Sequence, residues 1–96
     1  MGHYLVVVQG AEPGKRIELD SAPLTIGRDA KQATMVFRDT EVSRVHAMVR
    51  VVNDKAVVED LQSTNGTFVD AKRVESRLML REGNILRVGG HALRYE

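Results

Sequence analysis

The sequence contains no cysteine. That excludes a disulfide framework and any thiolate metal site, and it agrees with a reducing cytoplasm. No apolar run approaches the ~18 residues that a transmembrane helix needs. Met1-Gly2-His3-Tyr4 brings neither a basic start nor a long apolar core, so no secretion signal is expected and the cytoplasm is the expected location. Neither sign of charge dominates: 14 basic against 13 acidic residues leave +1. That balance is unlike a nucleic-acid or anionic-membrane binder, and the arginines from Arg16 to Arg94 read as a solvated mixed surface. There is no G-x-x-x-x-G-K-[ST] loop for a nucleotide, and His3, His46 and His91 stand too far apart, without carboxylate companions, to hold a metal. No cofactor is therefore expected. Without repeats, low-complexity tracts or a linker, residues 1–96 read as a single domain, large enough for one core at 43% hydrophobic residues. The abrupt end after Tyr95-Glu96 leans towards a domain cut from a longer chain.

What is present is a succession of short apolar, β-branched segments separated by turn residues. Tyr4–Val8, Arg16–Leu19, Leu24–Ile26, Met35–Phe37, His46–Val52, Ala56–Asp60, Thr67–Val69, Ile85–Val88 and His91–Tyr95 all read as strands. Asn53-Asp54 reads as a turn, and Gly89-Gly90 as a hairpin turn, because both of its central residues can take positive φ. The nearest approach to a helical pattern, Val74 to Leu80, is short and is followed by Gly83-Asn84. The expected fold is an antiparallel β-sandwich with binding residues on loops held by a rigid scaffold. Met48 and Met79, at strand positions, are expected to fill the core.

Three loops carry more chemistry than a strand connection requires. Gly27-Arg28 alone is an ordinary strand end with a solvated arginine. Ser43-Arg44-Val45-His46 suggests a nucleophile and a base, and with Asp60 a small hydrolase is one reading. No G-x-S-x-G turn or oxyanion-hole glycine sequence accompanies it. A hydroxyl beside an arginine is better suited to holding an oxyanion, and His46 alone reads as a buried structural histidine. Asp60-Leu-Gln-Ser-Thr-Asn-Gly-Thr-Phe-Val69 adds three hydroxyls, Ser63, Thr64 and Thr67, that a minimal Asn-Gly turn does not need.

Taken in register, Gly27-Arg28, Ser43-Arg44-x-His46-Ala47 and Asp60-Leu61-x-Ser63-Thr64-Asn65-Gly66-Thr67-Phe68-Val69 resemble the signature of the forkhead-associated (FHA) domain family. Leu80-x-x-Gly83 extends the resemblance almost to the end of the chain. It implies a sandwich of about eleven strands that binds phosphothreonine peptides, the products of Ser/Thr kinases, through loops at one end. By that resemblance Arg28, Ser43, Arg44 and Thr64 take the phosphate and Asn65 the peptide main chain. Gly27, His46, Asp60 and Gly66 are architectural, with His46 tying two binding loops together. The loop before Ser43 faces the residues after the phosphothreonine, which makes Glu41 a candidate for selectivity. A scaffold of the same fold that binds partners without phosphate, or self-associates, is the alternative.

The chemistry of such a site is sound without the family. A phosphothreonine brings about −1.5 to −2 charge and three acceptor oxygens. Arg28 offers a permanent planar cation, the hydroxyls of Ser43 and Thr64 small rotatable donors, and Asn65 both an amide donor and an acceptor. Two departures from the family pattern stand out. Asp70-Ala71 replaces the Asn-Gly that commonly follows the Thr-x-Val strand. Alanine disfavours positive φ, so a turn other than the tight two-residue one is expected. Asn84 stands where an aspartate is usual, a loss of charge at a scaffold turn.

Overall fold

Alternation along the chain dictates the architecture. In Lys55–Asp60, Ala56 and Val58 are fully buried while Lys55 and Val57 are not, and in Ile85–Val88 the pair Leu86 and Val88 are buried with Arg87 exposed. Each strand thus has one face to hide, and two sheets hide them against each other. The computed structural model describes residues 2–96. It contains eleven strands: β1 (His3–Gln9), β2 (Arg16–Leu19), β3 (Leu24–Gly27), β4 (Met35–Val36), β5 (Ala47–Val52), β6 (Lys55–Asp60), β7 (Thr67–Val69), β8 (Lys72–Arg73), β9 (Arg77–Met79), β10 (Ile85–Val88) and β11 (His91–Tyr95).

One sheet has the order β2-β1-β11-β10-β7-β8 and the other β4-β3-β5-β6-β9. All pairings are antiparallel except β3 with β4, which run parallel with Ile26 opposite Met35. The register of β1 on β11 slips at Val8, a bulge at the point where β1 reaches its exposed end. Leu5, Val7, Leu86, Val88 and Leu93 from the first sheet meet Ile26, Val49 and Val58 from the second, and Phe37, Val42, Val74 and Leu80 close the core from the loops. One edge of the first sheet is short and charged: β8 is the exposed dipeptide Lys72-Arg73. No helix among the described residues is long and apolar enough to cross a membrane.

Two expectations need correction. Met48 and Met79 do not fill the core. Met48 is half-buried and Met79 is exposed, on the outer face of the second sheet beside Arg50, Val57, Glu59 and Arg77. The strand of Met48 is the expected one, whereas β9, which holds Met79, was not among the strands read from the sequence; the pleat turns both side chains outward, Met48 standing opposite Glu59 and Met79 opposite Val57. The turn after β7 is the tight two-residue one after all. Val69 pairs with Lys72, and Asp70 and Ala71 both take positive φ, 49° and 70°. Asp70 holds it in place by donating its N–H to the Ile85 carbonyl (2.9 Å) while its carboxylate accepts the Ile85 N–H (2.9 Å) and the Asn84 amide (2.5 Å). These bonds offset the left-handed conformation of Ala71, a cost of about 1–2 kcal/mol. Asn84 is thereby explained as well, since an aspartate there would set a second carboxylate against Asp70.

Candidate functional site

Backbone bonds between β3 and the β4–β5 loop build the site. The Arg28 N–H donates to the Ser43 carbonyl (3.0 Å), the Asp29 N–H to that of Arg44 (3.2 Å) and the His46 N–H to that of Ile26 (2.8 Å). This ladder places Arg28 beside Ser43. The approach is so close that a Cβ on Gly27 would overlap the Arg44 carbonyl. Only glycine permits it.

The β6–β7 loop is drawn to the same place. His46 is fully buried, its Nδ1 accepts the Ser43 N–H (3.0 Å), and its Nε2 donates to the Gly66 carbonyl (2.8 Å). A carbonyl only accepts, so the proton sits on Nε2 and one neutral imidazole joins both loops. Ser43 Oγ accepts the Thr64 N–H (3.0 Å), and Asn65 Nδ2 donates to the Glu41 carbonyl (3.0 Å). Inside the β6–β7 loop the Asp60 carboxylate accepts from the Ser63 and Thr67 hydroxyls (2.5 and 2.7 Å), and Ser63 Oγ accepts the Gly66 N–H (3.0 Å). Gly66 has φ 92°, the left-handed region this turn requires.

Arg28 is exposed, but its direction is set: Nε donates to the Val42 carbonyl at 2.9 Å. Its two terminal amino groups remain to meet a ligand. Arg28, Ser43, Arg44 and Thr64 line one hollow of about 520 Å³ together with Gln32, Val45 and Gln62. Arg28 and Arg44 also line a second hollow, of about 500 Å³, with Lys31, Arg38 and Thr40. Glu41 is exposed and lines neither.

Two aspartates staple the loops. Asp29 Oδ1 accepts the Lys31 N–H and its Oδ2 the Gln32 amide (2.9 and 2.8 Å). The Gln32 bond first, then the Lys31 N–H and the charges of Arg44 and Arg28, hold its carboxyl below the ordinary value. Asp39 accepts the N–H groups of Glu41 and Gly90 (2.9 and 3.2 Å), which in that order lower its pKa, with His91 adding to them. Behind Asp39, His91 is buried and stacked on Phe37 with ring centroids 3.9 Å apart. Its Nε2 lies 3.5 Å from the Asp39 carboxylate.

Residue types at this end are those of anion recognition rather than of nucleophilic attack. Ser43 meets His46 through its backbone N–H, and Asp60 bonds the Ser63 and Thr67 hydroxyls. The three side chains therefore do not form a relay of nucleophile, base and carboxylate. Sequence reasoning missed Asp29, Asp39, Lys31 and Arg38. The two aspartates had a local signal, since a loop aspartate that accepts the N–H two residues on is an Asx turn. The two cations had none.

The family model for the FHA domain matches residues 24–89, from β3 to the turn after β10. The chain belongs to the FHA family. It is 40% identical over 90 residues to the FHA domain-containing protein FhaB of Mycobacterium tuberculosis, matching 94% of this chain and 57% of that protein. It is 36% identical over 85 residues to the glycogen accumulation regulator GarA of the same organism, matching 88% of this chain and 51% of that one. The chain thus spans little more than half the length of these relatives. Among solved structures it resembles the FHA domain of the CT664 protein of Chlamydia trachomatis, with a TM-score of 0.91, 27% identity, and 99% and 96% of the two chains covered. The eleven-stranded FHA sandwich expected from the signature is the fold observed. Members of this family are interaction modules, and the neighbours include Mycobacterium tuberculosis EmbR in complex with a phosphopeptide. That likeness has a TM-score of 0.87 and 28% identity, and covers 99% of this chain and 24% of that one.

Proposed function

We propose that this FHA domain is a phosphothreonine-dependent protein-interaction module that reads the product of a Ser/Thr kinase in the cytoplasm and does so without a cofactor. The observation that carries the reading is how the site's own hydrogen bonds are spent. Arg28 uses only Nε on the protein, and Ser43 Oγ is an acceptor for the Thr64 N–H. The guanidinium fork and the Ser43 hydroxyl proton are left for an oxyanion in the hollow they share with Arg44 and Thr64. Arg28, Ser43, Arg44 and Thr64 grip the phosphate. Asn65, braced by its bond to the Glu41 carbonyl, keeps its amide oxygen and second amide hydrogen for the peptide main chain. Gly27, His46, Asp60 and Gly66 hold these loops in place. Glu41, exposed at the rim, is suited to selecting residues after the phosphothreonine.

Calorimetry with a degenerate-flank peptide pool carrying threonine, phosphothreonine or phosphoserine tests the reading. Phosphothreonine should bind and threonine should not. Phosphoserine should be several-fold weaker, since burying one methyl contributes about 0.8 kcal/mol. Charge-assisted bonds are worth roughly 1.5–3 kcal/mol, so Arg28→Ala should lose about ten- to a hundredfold or more. Arg28→Lys should recover only part of that, because it lacks the bidentate fork. Equal affinity for the threonine pool, or an unaffected Arg28→Ala variant, would sink the proposal. It would favour the phosphate-independent alternative, which draws on the outward-facing Val52 and Met79.

A further inference from the structure

Between β4 and β5 the chain turns around Asp39. The Asp39 carbonyl accepts the Val42 N–H (2.9 Å), and its Oδ1 accepts the Glu41 N–H (2.9 Å). The same two residues present their carbonyls to the site. That of Glu41 accepts Asn65 Nδ2 (3.0 Å), and that of Val42 accepts Arg28 Nε (2.9 Å). The Glu41 carbonyl and the Val42 N–H belong to one planar peptide unit, so holding one aims the other. Arg28 and Asn65 are therefore both braced on residues whose N–H groups Asp39 holds.

The Asp39 carboxylate is itself held from behind. Its Oδ2 accepts the Gly90 N–H of the β10–β11 turn (3.2 Å) and lies 3.5 Å from His91 Nε2. The imidazole cannot swing away. It is buried and stacked on Phe37 with the ring planes within 7°, and a Cβ on Gly10 would overlap its Nδ1. Nδ1 accepts the Ala11 N–H (3.3 Å), so the proton of the neutral ring sits on Nε2. That group is the one buried side-chain polar atom among the described residues with no hydrogen-bond partner. At 3.5 Å the contact is too long for a well-made bond, and the charge of Asp39 is what faces it. An orphaned buried N–H calls for a reason. Here the reason lies in the carboxylate that it holds. His91 lines neither hollow, so its effect on a ligand passes through Asp39.

We propose that Asp39 and His91 are positioning residues for the phosphopeptide site. His91 fixes the Asp39 carboxylate between the Glu41 and Gly90 N–H groups, and Asp39 sets the two carbonyls that aim Arg28 and Asn65. Through the Ala11 and Gly90 N–H groups the same pair ties the β1–β2 loop and the β10–β11 turn to the ligand-facing loops. The inference rests on the phosphothreonine reading, because aim matters only if Arg28 and Asn65 meet a ligand.

The test uses the whole chain and four variants, read by nuclear magnetic resonance on the free protein and by calorimetry with the phosphothreonine peptide pool. Asp39→Ala removes the carboxylate. His91→Phe keeps a ring against Phe37 and removes both nitrogens. His91→Gln returns a donor near the Nε2 position, and His91→Asn returns only an acceptor near Nδ1. Exchange of the Arg28 Nε–H should be several-fold faster in Asp39→Ala and His91→Phe than in the unaltered chain. His91→Gln should restore it and His91→Asn should not. Affinity should follow the same order, down about tenfold in Asp39→Ala and about threefold in His91→Phe. A purely structural role would lower the melting temperature and leave Arg28 exchange where it was. Should Asp39→Ala fail to fold, the His91 series, which keeps the carboxylate, carries the test. Unchanged Arg28 exchange, equal behaviour of the glutamine and asparagine variants, or faster exchange with undiminished affinity overturns the positioning role. An unaltered chain that does not bind the phosphothreonine pool overturns the phosphothreonine reading, and any role in phosphopeptide binding falls with it. Exchange in the free protein decides separately whether Asp39 and His91 set Arg28.

Discussion

His46 offers the most direct perturbation of the site without touching a ligand. Its imidazole is buried, accepts the Ser43 N–H at 3.0 Å and donates to the Gly66 carbonyl at 2.8 Å. His46→Ala strands both backbone groups. Leaving a buried donor or acceptor unmade costs about 1–3 kcal/mol, so the pair should cost about 2–6 kcal/mol before the cavity is considered. Domains of this size are stable by only about 5–15 kcal/mol, and about 1 kcal/mol moves the melting temperature by roughly 4–8 °C. A fall of roughly ten degrees or more is expected, and outright unfolding lies within that range. Two further variants keep the argument testable if the alanine does not fold. His46→Asn can keep an acceptor near the Nδ1 position for Ser43, and His46→Gln a donor near the Nε2 position for Gly66. Each should recover about half the loss. Urea denaturation gives the energies, and amide hydrogen exchange at Ser43 reports which bond survives: protected in the asparagine variant, faster in the glutamine variant. An alanine variant within about 0.5 kcal/mol of the unaltered chain, or Ser43 exchange that ignores all three substitutions, would refute the tying role of His46.

Two other outcomes follow from the geometry. Ala71→Gly removes the left-handed strain at φ 70° and should stabilise the chain by up to about 1 kcal/mol, after the greater unfolded-state entropy of glycine is counted; a lower urea midpoint would contradict it. Asp29, Asp39 and Asp54 all have carboxyls held below the ordinary 3.8. For Asp54 the bond to His3 is the main cause, and for the other two the loop hydrogen bonds described above. Depressed folded-state values mean that their stabilisation is fully present above the unfolded carboxylate range. It is lost as pH falls through their lower folded values, so melting temperature should decline below about pH 4. Asp39→Asn should make that decline shallower, and an unchanged slope would mean the Glu41 and Gly90 bonds do not favour the ionised form.

Much of the fold was legible because its signals are local. Gly89-Gly90 marks a hairpin through residues that accept positive φ and Asn53-Asp54 marks a turn, and the structure has positive φ at Asn53, Asp54 and Gly89. Alternation in Arg16–Leu19 marks a half-buried strand from side-chain chemistry alone, and Ile17 and Leu19 do turn inward while Arg16 and Glu18 are exposed. The block from Asp60 to Val69 was legible as more than a turn because its hydroxyls exceed what a turn uses. Strands β8 and β9 were not legible. Lys72-Arg73 has no apolar residue to mark it, and both strands exist only because β7 and β6 present edges to pair with.

The tertiary structure alone decided which face of a strand is inward, and that is why Met48 and Met79 point to solvent: a period of two shows that faces differ, not which one meets the core. It decided that Ala71 adopts a conformation its own chemistry disfavours, since the compensating bonds come from Asn84 and Ile85, more than ten residues away. It also gathered Arg28, Lys31, Arg38 and Arg44 around shared hollows. Net charge near neutrality hid that cluster from the sequence, because a sum over the chain carries no positions. Only the backbone ladder between β3 and the β4–β5 loop brings those four side chains to one end of the sandwich.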